Sequence, residues 1–379
     1  MPRSLDDATL TGLVADATAA PSMHNAQPWQ FRYTRAGHTL TLLADLDRAL
    51  PEEDPATRAL HVGCGAALLN LRVSAAHHGL EAVTTLLPEP SAPAVLASVR
   101  LGVRAVARPA HENEARGGGE ARGGGEATAE DEARAGGEAR GEGEAPTGSE
   151  APTGGALTEN EALAALHPAI EQRHTSRYPF DDALVPEDVR ALLVAAARAE
   201  GADFSFLASP HLETVLGLIR DAEGYDRGDP GREAEQHHWT RDTKTEAPVD
   251  GIPDYAFGPR DAHEQATTRD FVGTGVLPGR ARVPFEKRPQ LALLTTSSDH
   301  SVDWLRAGQA LERVLLLATL HGVSTSFSTQ PIEWPDLRWV LRDPVFGSGH
   351  AQMIIRLGYG PTGPRTPRRP TNQVLTIEP

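Results

Sequence analysis

Apolar positions recur at i, i+3, i+4 and i+7 through two long stretches, Leu60 to Leu80 and Asp303 to Val323. That spacing predicts a core-facing helix in each, stopped by Gly79 and Gly322. The two stretches align at one constant offset: Gly65 falls on Gly308, Ala67 on Ala310, Ala75 on Ala318, and His78-Gly79 on His321-Gly322. Ahead of each the same order recurs, a shorter helix and then a strand: Leu10 to Ala19 before Trp29 to Tyr33, and Val189 to Ala199 before Phe204 to Leu207. Further strands are predicted at Ala292 to Thr296, Ser324 to Ser328 and Met353 to Leu357. Sheets flanked by helices, twice over, predict an α+β fold with antiparallel-rich sheets. The repetition makes the chain resemble a homodimer fused end to end, two tandem halves about an internal pseudo-two-fold axis.

Between the halves, His111 to Gly155 is almost entirely Gly, Glu, Ala and Arg with a few Pro and Thr. Such a composition cannot bury enough apolar surface to order itself. The expected organisation is therefore an N-terminal half at 1–110, a disordered linker at 111–156 and a C-terminal half at 157–379. A solvated tether and an interaction tail both fit the linker, the tether being the plainer reading. Its eleven acids and four arginines carry −7 of the formal charge of −16, so the rest of the chain is only mildly acidic. Nucleic acid is not an expected partner, because that recognition needs clustered Lys and Arg to displace condensed counterions.

The one cysteine, Cys64, cannot form an intramolecular disulfide, and acids stand at the N-terminus where a secretion signal needs an apolar run. No stretch reads as approaching the roughly 18 apolar residues that span a bilayer. A cytoplasmic protein with no membrane partner is expected. His77-His78 and His237-His238 lack a third donor at ligand spacing, so no metal is expected. No glycine-rich dinucleotide fingerprint follows a predicted strand.

Two runs carry candidate chemistry. Ala20-Pro21-Ser22-Met23-His24-Asn25-Ala26-Gln27-Pro28-Trp29 lies between helix and strand and presents a hydroxyl, an imidazole and two amides from a turn bracketed by prolines. Those groups suit a ligand rich in carbonyls and ring nitrogens, and they equally suit a turn that satisfies itself while Trp29 fills the core. Arg173-His174-Thr175-Ser176-Arg177 sets two guanidiniums about two hydroxyls. It reads as a solvated turn or as an anion site, with Arg365-Thr366-Pro367-Arg368-Arg369-Pro370 as its basic counterpart near the C-terminus.

Together with Gln330-Pro331-Ile332-Glu333, these runs resemble the nitroreductase family. Arg173 to Arg177 matches its R-x-S-x-R phosphate motif with Thr175 in place of Ser. Pro21 to Trp29 matches P-S-x-x-N-x-Q-P-W, Pro331 to Glu333 the P-I-E flavin loop, and Leu357-Gly358-Tyr359 the closing strand. The first half has the P-S-x-x-N loop without the Arg motif, and the second half the reverse. In family homodimers each FMN lies between subunits, so complementary loss implies one complete site per chain, as in the fused, Acg-like branch of the family.

The resemblance implies FMN as cofactor, with Arg173 and Arg369 on its phosphate, Thr175 adding a hydroxyl, and Arg177 near the pyrimidine edge. Ser22, His24, Asn25 and Gln27 approach from the first half, Pro331, Ile332 and Glu333 offer groups toward the ring, and Arg368 belongs to the C-terminal loop without a fixed register. It implies hydride transfer from NAD(P)H through FMN to a nitroaromatic, quinone or similar acceptor, by a monomer acting as a pseudo-dimer, with no catalytic side chain assigned. Residues 225–285, long and rich in Pro, Gly and charge with Trp239, Tyr255, Phe257 and Phe271 scattered through them, read either as a lid or as an ordinary crossover insertion. A lid closing over the flavin would make the chain a non-catalytic FMN-sequestering protein instead.

Overall fold

The computed structural model describes residues 5–103, 157–244, 247–262, 268–271, 280–342 and 349–379. The linker expected at 111–156 lies outside the described residues.

The first half runs α1 (Asp7–Thr18), β1 (Trp29–Thr34), β2 (Thr39–Ala44), α2 (Arg58–His77), β3 (Leu80–Leu86) and β4 (Val95–Val103). Asp6 starts α1 by accepting from the Thr9 amide at 2.7 Å. In β1, Trp29, Phe31 and Tyr33 point inward and alternate with more exposed residues, so the sheet buries one face, against α1 and α2. The second half runs α3 (Glu187–Ala199), β5 (Asp203–Phe206), α4 (His211–Gly228), α5 (Pro230–His238), β6 (Gln290–Thr296), α6 (Ser301–Leu320), β7 (Ser324–Phe327), a turn of helix at Gln330–Glu333 that we call α7, and β8 (His350–Gly358). Its sheet is covered on both faces. Ala292, Leu294, Met353, Ile355 and Leu357 pack with α3 and α6, while Leu291, Leu293, Ala351 and Ile354 pack with α4. This explains why β6 and β8 read as nearly continuous apolar runs.

The two sheets share one strand order. Four strands of the first run β1-β2-β4-β3 and the four of the second β5-β6-β8-β7, with every neighbouring pair among these antiparallel. A register shift occurs at the same rung of both, between Leu42 and Leu43 in β2 and between Leu294 and Thr295 in β6. The long helices meet where the sequence offset aligns them. A Cβ on Gly65 would lie 2.2 Å from the Leu305 carbonyl oxygen, and one on Gly308 would lie 2.1 Å from that of Val62. Leu305 is buried in the first half's core and Val62 in the second's, so the halves exchange a residue across the crossing.

Three expectations need correction. The C-terminal residues do not stay with the second half: a last strand, β9 (Leu375–Glu378), pairs parallel with β1. The described residues 5–103 and 158–379 accordingly form one compact unit. Residues 225–238 are not loop, because α4 and α5 fill them; Asp229 caps α5 by accepting from the Gly231 and Arg232 amides. Finally, α2 is long and apolar enough to cross a membrane by length and composition, contrary to the sequence reading, but it is the buried central helix of the first half.

Candidate functional site

The loop from Ala19 to Pro28 departs from ordinary backbone geometry. His24, Asn25 and Gln27 all have positive φ, at 49°, 54° and 54°. Non-glycine residues held there cost on the order of 1–3 kcal/mol each and persist only where surroundings enforce them. The enforcement is visible. Asn25 donates to the carbonyls of Gly251 (2.9 Å) and Pro367 (3.1 Å) and accepts from Arg368 Nη1 at 3.0 Å. Ser22 Oγ accepts from the Gln27 amide at 2.9 Å. Gly63 on α2 leaves room for this approach, since a Cβ there would meet Ser22 Cβ at 3.3 Å.

The Arg173–Arg177 run lies extended beside β7, where Ser176 N donates to Thr325 O at 2.8 Å. Gly363 of the C-terminal tail presses on it so closely that a Cβ would sit 2.0 Å from Thr175 O. Arg173 is 3 % exposed. Its Nη2 donates to Ala19 O at 3.1 Å, its Nε lies 3.4 Å from Glu312 Oε1, and neither Nε nor Nη1 has a hydrogen-bond partner. The surroundings are strongly positive: partial burial first, then Arg173, Arg368 and Arg365, depress the His174 imidazole to about 4.

Residues of 225–285 complete the enclosure. Ile252, Arg269 and Phe271 face the same cavity as the loop and the Arg run. Arg177 donates to Ala256 O at 3.0 Å and stands 4.9 Å over the Phe271 ring, which meets His24 edge-on at 5.7 Å. Arg269 clamps both halves, donating from Nη1 to Glu53 (2.8 Å) and from Nη2 to Glu333. Glu53 in turn bonds His24, and Glu333 also accepts from Arg232. Burial pushes the Glu53 carboxyl up, but His24 and Arg269 outweigh it and bring it down to about 2.

The cavity is walled by Arg173, Arg177, Arg269 and Glu333 and by Val62, Leu311, Phe327 and Met353. A concave, largely apolar pocket with a few convergent polar groups is the usual form of a small-molecule site.

No family model matches the chain. Among curated proteins, it is similar to a provisionally named NAD(P)H nitroreductase of Mycobacterium tuberculosis strain H37Rv, 27% identical over 375 residues, covering 98% of this chain and 92% of the relative. A second protein of that strain, provisionally named NAD(P)H nitroreductase acg, is 26% identical over 366 residues, covering 95% and 93%. The chain is nitroreductase-like. A Bacteroides fragilis nitroreductase whose crystal structure holds FMN aligns at 15% identity and a TM-score of 0.33, over 54% of this chain and 92% of its own.

Of the site residues expected from the motifs, Ser22, His24, Asn25, Arg173, Thr175, Arg177, Glu333 and Arg368 come together around the cavity of this nitroreductase-like chain. Four do not line it. Arg369 pairs with Asp45 at 3.1 Å and donates to the Gln27 carbonyl at 3.2 Å, so the carboxylate of Asp45 draws it away from any phosphate in the cavity. Gln27 is wholly buried and spends its amide on Asn25 O, Val249 O and the Arg369 amide. Pro331 and Ile332 are buried in α7, Ile332 within the core cluster beneath α4. Arg368 does line the cavity, yet its guanidinium already donates to the carbonyls of Thr18, Ala19 and Ala20 and to Asn25. It clamps the loop and contributes its charge.

Sequence reasoning passed over Arg58, His174, Glu53, Arg269 and Glu312. His174 lay in plain sight inside the Arg run. The others are single charged residues whose burial nothing local announces.

Proposed function

We propose that the chain is an FMN-dependent oxidoreductase that takes electrons from NAD(P)H and passes them to a nitroaromatic, quinone or similar small acceptor, with one flavin site per polypeptide. The observation that carries the reading is Arg173: a buried guanidinium with two unpartnered N–H groups, in a positive environment, on the wall of an apolar cavity. An unpaired buried donor costs about 1–3 kcal/mol, and a phosphate relieves that cost. The donor set fits FMN: cationic at Arg173, apolar at Val62, Leu311, Phe327 and Met353, and polar again at Ser22 and His24. When bound, FMN supplies the acceptance and release of hydride.

The chain's own residues bind and orient. Arg173 offers Nε and Nη1, and Thr175 a hydroxyl. Arg177, on the same cavity wall, would set a positive charge toward a bound flavin, which favours a reduced, anionic state. Glu333 and Arg269 exclude water by locking lid to wall. No side chain is assigned proton transfer. A second reading, a flavin-holding protein without turnover, draws support from the lid contacts, because Ile252, Arg269 and Phe271 form part of the cavity wall.

Arg173→Ala tests the site: it is expected to purify folded but without flavin at physiological salt, and full flavin retention would overturn the assignment. Anaerobic addition of NADPH or NADH to the flavin-loaded wild-type chain separates the two readings. Rapid bleaching of the flavin band marks a reductase, and an unbleached band marks a holding protein.

A further inference from the structure

Glu312 on α6 has no solvent exposure, and neither carboxylate oxygen has a hydrogen-bond partner. Arg173 Nε, at 3.4 Å, is its ion-pair neighbour, Arg368 is the other cation acting on it, and Asn70 on α2 is its polar neighbour. Burial outweighs all three and holds the carboxyl above its ordinary range. The pair is thus mismatched: a carboxylate and a guanidinium, both desolvated, each with polar atoms left unsatisfied, one of them on a cavity wall. Nothing in the assignment above uses Glu312.

A phosphate on Arg173 changes this balance. Its two negative charges would take the unpaired Nε and Nη1 and stand close to Glu312 in a medium where like charges repel strongly. Burial and the neighbouring Arg173 draw the Arg368 guanidinium down, but the intrinsic basicity of a guanidinium keeps it and Arg173 charged. His174, the remaining titratable neighbour of Arg173 and Arg368, stays neutral above about 4. Glu312 is the group left to relieve the repulsion.

Resting on the FMN reading above, we propose that Glu312 is a positioning residue that links phosphate binding to proton uptake: it is the anion facing Arg173 while no phosphate is bound, and a neutral acid once phosphate has taken Arg173. The proton comes from solvent, one per phosphate bound, and no covalent bond is made or broken.

The test is FMN binding to the flavin-free full-length chain between about pH 7 and 9, above the phosphate's second ionisation near 6. Over some interval of that range the dissociation constant is expected to rise about tenfold per pH unit. Calorimetry in two buffers of different ionisation enthalpy is expected to register uptake of one proton there. Glu312→Gln is expected to lose both the slope and the proton uptake, and to bind FMN at pH 9 at least as tightly as the wild type does at pH 7. A flat profile with no proton uptake in the wild type overturns the proposal, and that measurement stands even where the variant fails to fold. A Gln variant that keeps the wild-type slope overturns it too. Absence of FMN binding at every pH overturns the flavin reading itself.

Discussion

Arg269 carries more than its place in a Pro- and Gly-rich stretch suggests. Its guanidinium bridges Glu53 of the first half and Glu333 of the second, all three side chains at most 7 % exposed. Removing one member of such a group leaves buried charge uncompensated, at a cost of about 3–5 kcal/mol. Arg269→Ala is therefore expected to release the lid, seen as faster proteolysis within 247–271 and faster anaerobic reduction of bound flavin by NADPH; unchanged rates would contradict the latch. The Glu53 carboxyl sits at about 2 in the folded chain against 4.5 unfolded, so its stabilisation is complete above 4.5 and is lost as pH falls toward 2. On this account proteolysis of the wild-type lid is expected to quicken as pH falls from 4.5 toward 2. The site residues legible in the sequence were those in contiguous runs, such as Ser22 to Asn25 and Arg173 to Arg177. Arg269, Glu53 and Glu312 were not, because their roles come from partners far away along the chain.

At the scale of elements, the α2–α6 crossing is the tightest contact between halves, and it rests on the absence of two side chains. The atoms a Cβ on Gly65 would strike are backbone, so nothing flexible can yield. Gly65→Ala is expected to destabilise the chain by about 3 kcal/mol or more, measured as a lower denaturation midpoint; a neutral effect would contradict the crossing. The sequence offset aligned Gly65 with Gly308 as equivalent positions on two helices whose 3.6-residue periodicity advertises a buried face, but that the two would meet was not legible in it. The missed helix α5 advertised no such face: it is short of apolar residues, and Pro230 and Gly231 read as breakers although they form an ordinary first turn, whereas α4 does carry an apolar face, Val215, Leu218, Ile219 and Ala222, that the sequence reading passed over. The loop carrying His24 and Asn25 also has a telling counterpart. Where the first half has residues 19–28 between α1 and β1, the second has only the turn 200–202 between α3 and β5. There Glu200 accepts from Arg72 at 2.5 Å and from Arg313 at 2.7 Å.

For the whole molecule, four strands of each sheet in one order, reciprocal glycines and an unequal loop accompany a cavity walled by residues of both halves. Complementary motifs in the sequence implied one complete site per chain, which is the reading proposed above. The return of the C-terminal strand to the first sheet was not legible, since Leu375 to Glu378 is too short to name its partner. The same tail brings Thr366 and Arg368 to the cavity, so both ends of the chain build the site. The most direct test is the ratio of flavin to polypeptide in the purified protein, read from its visible spectrum after acid release of the cofactor. The account predicts one FMN per chain; none, or two, would contradict it.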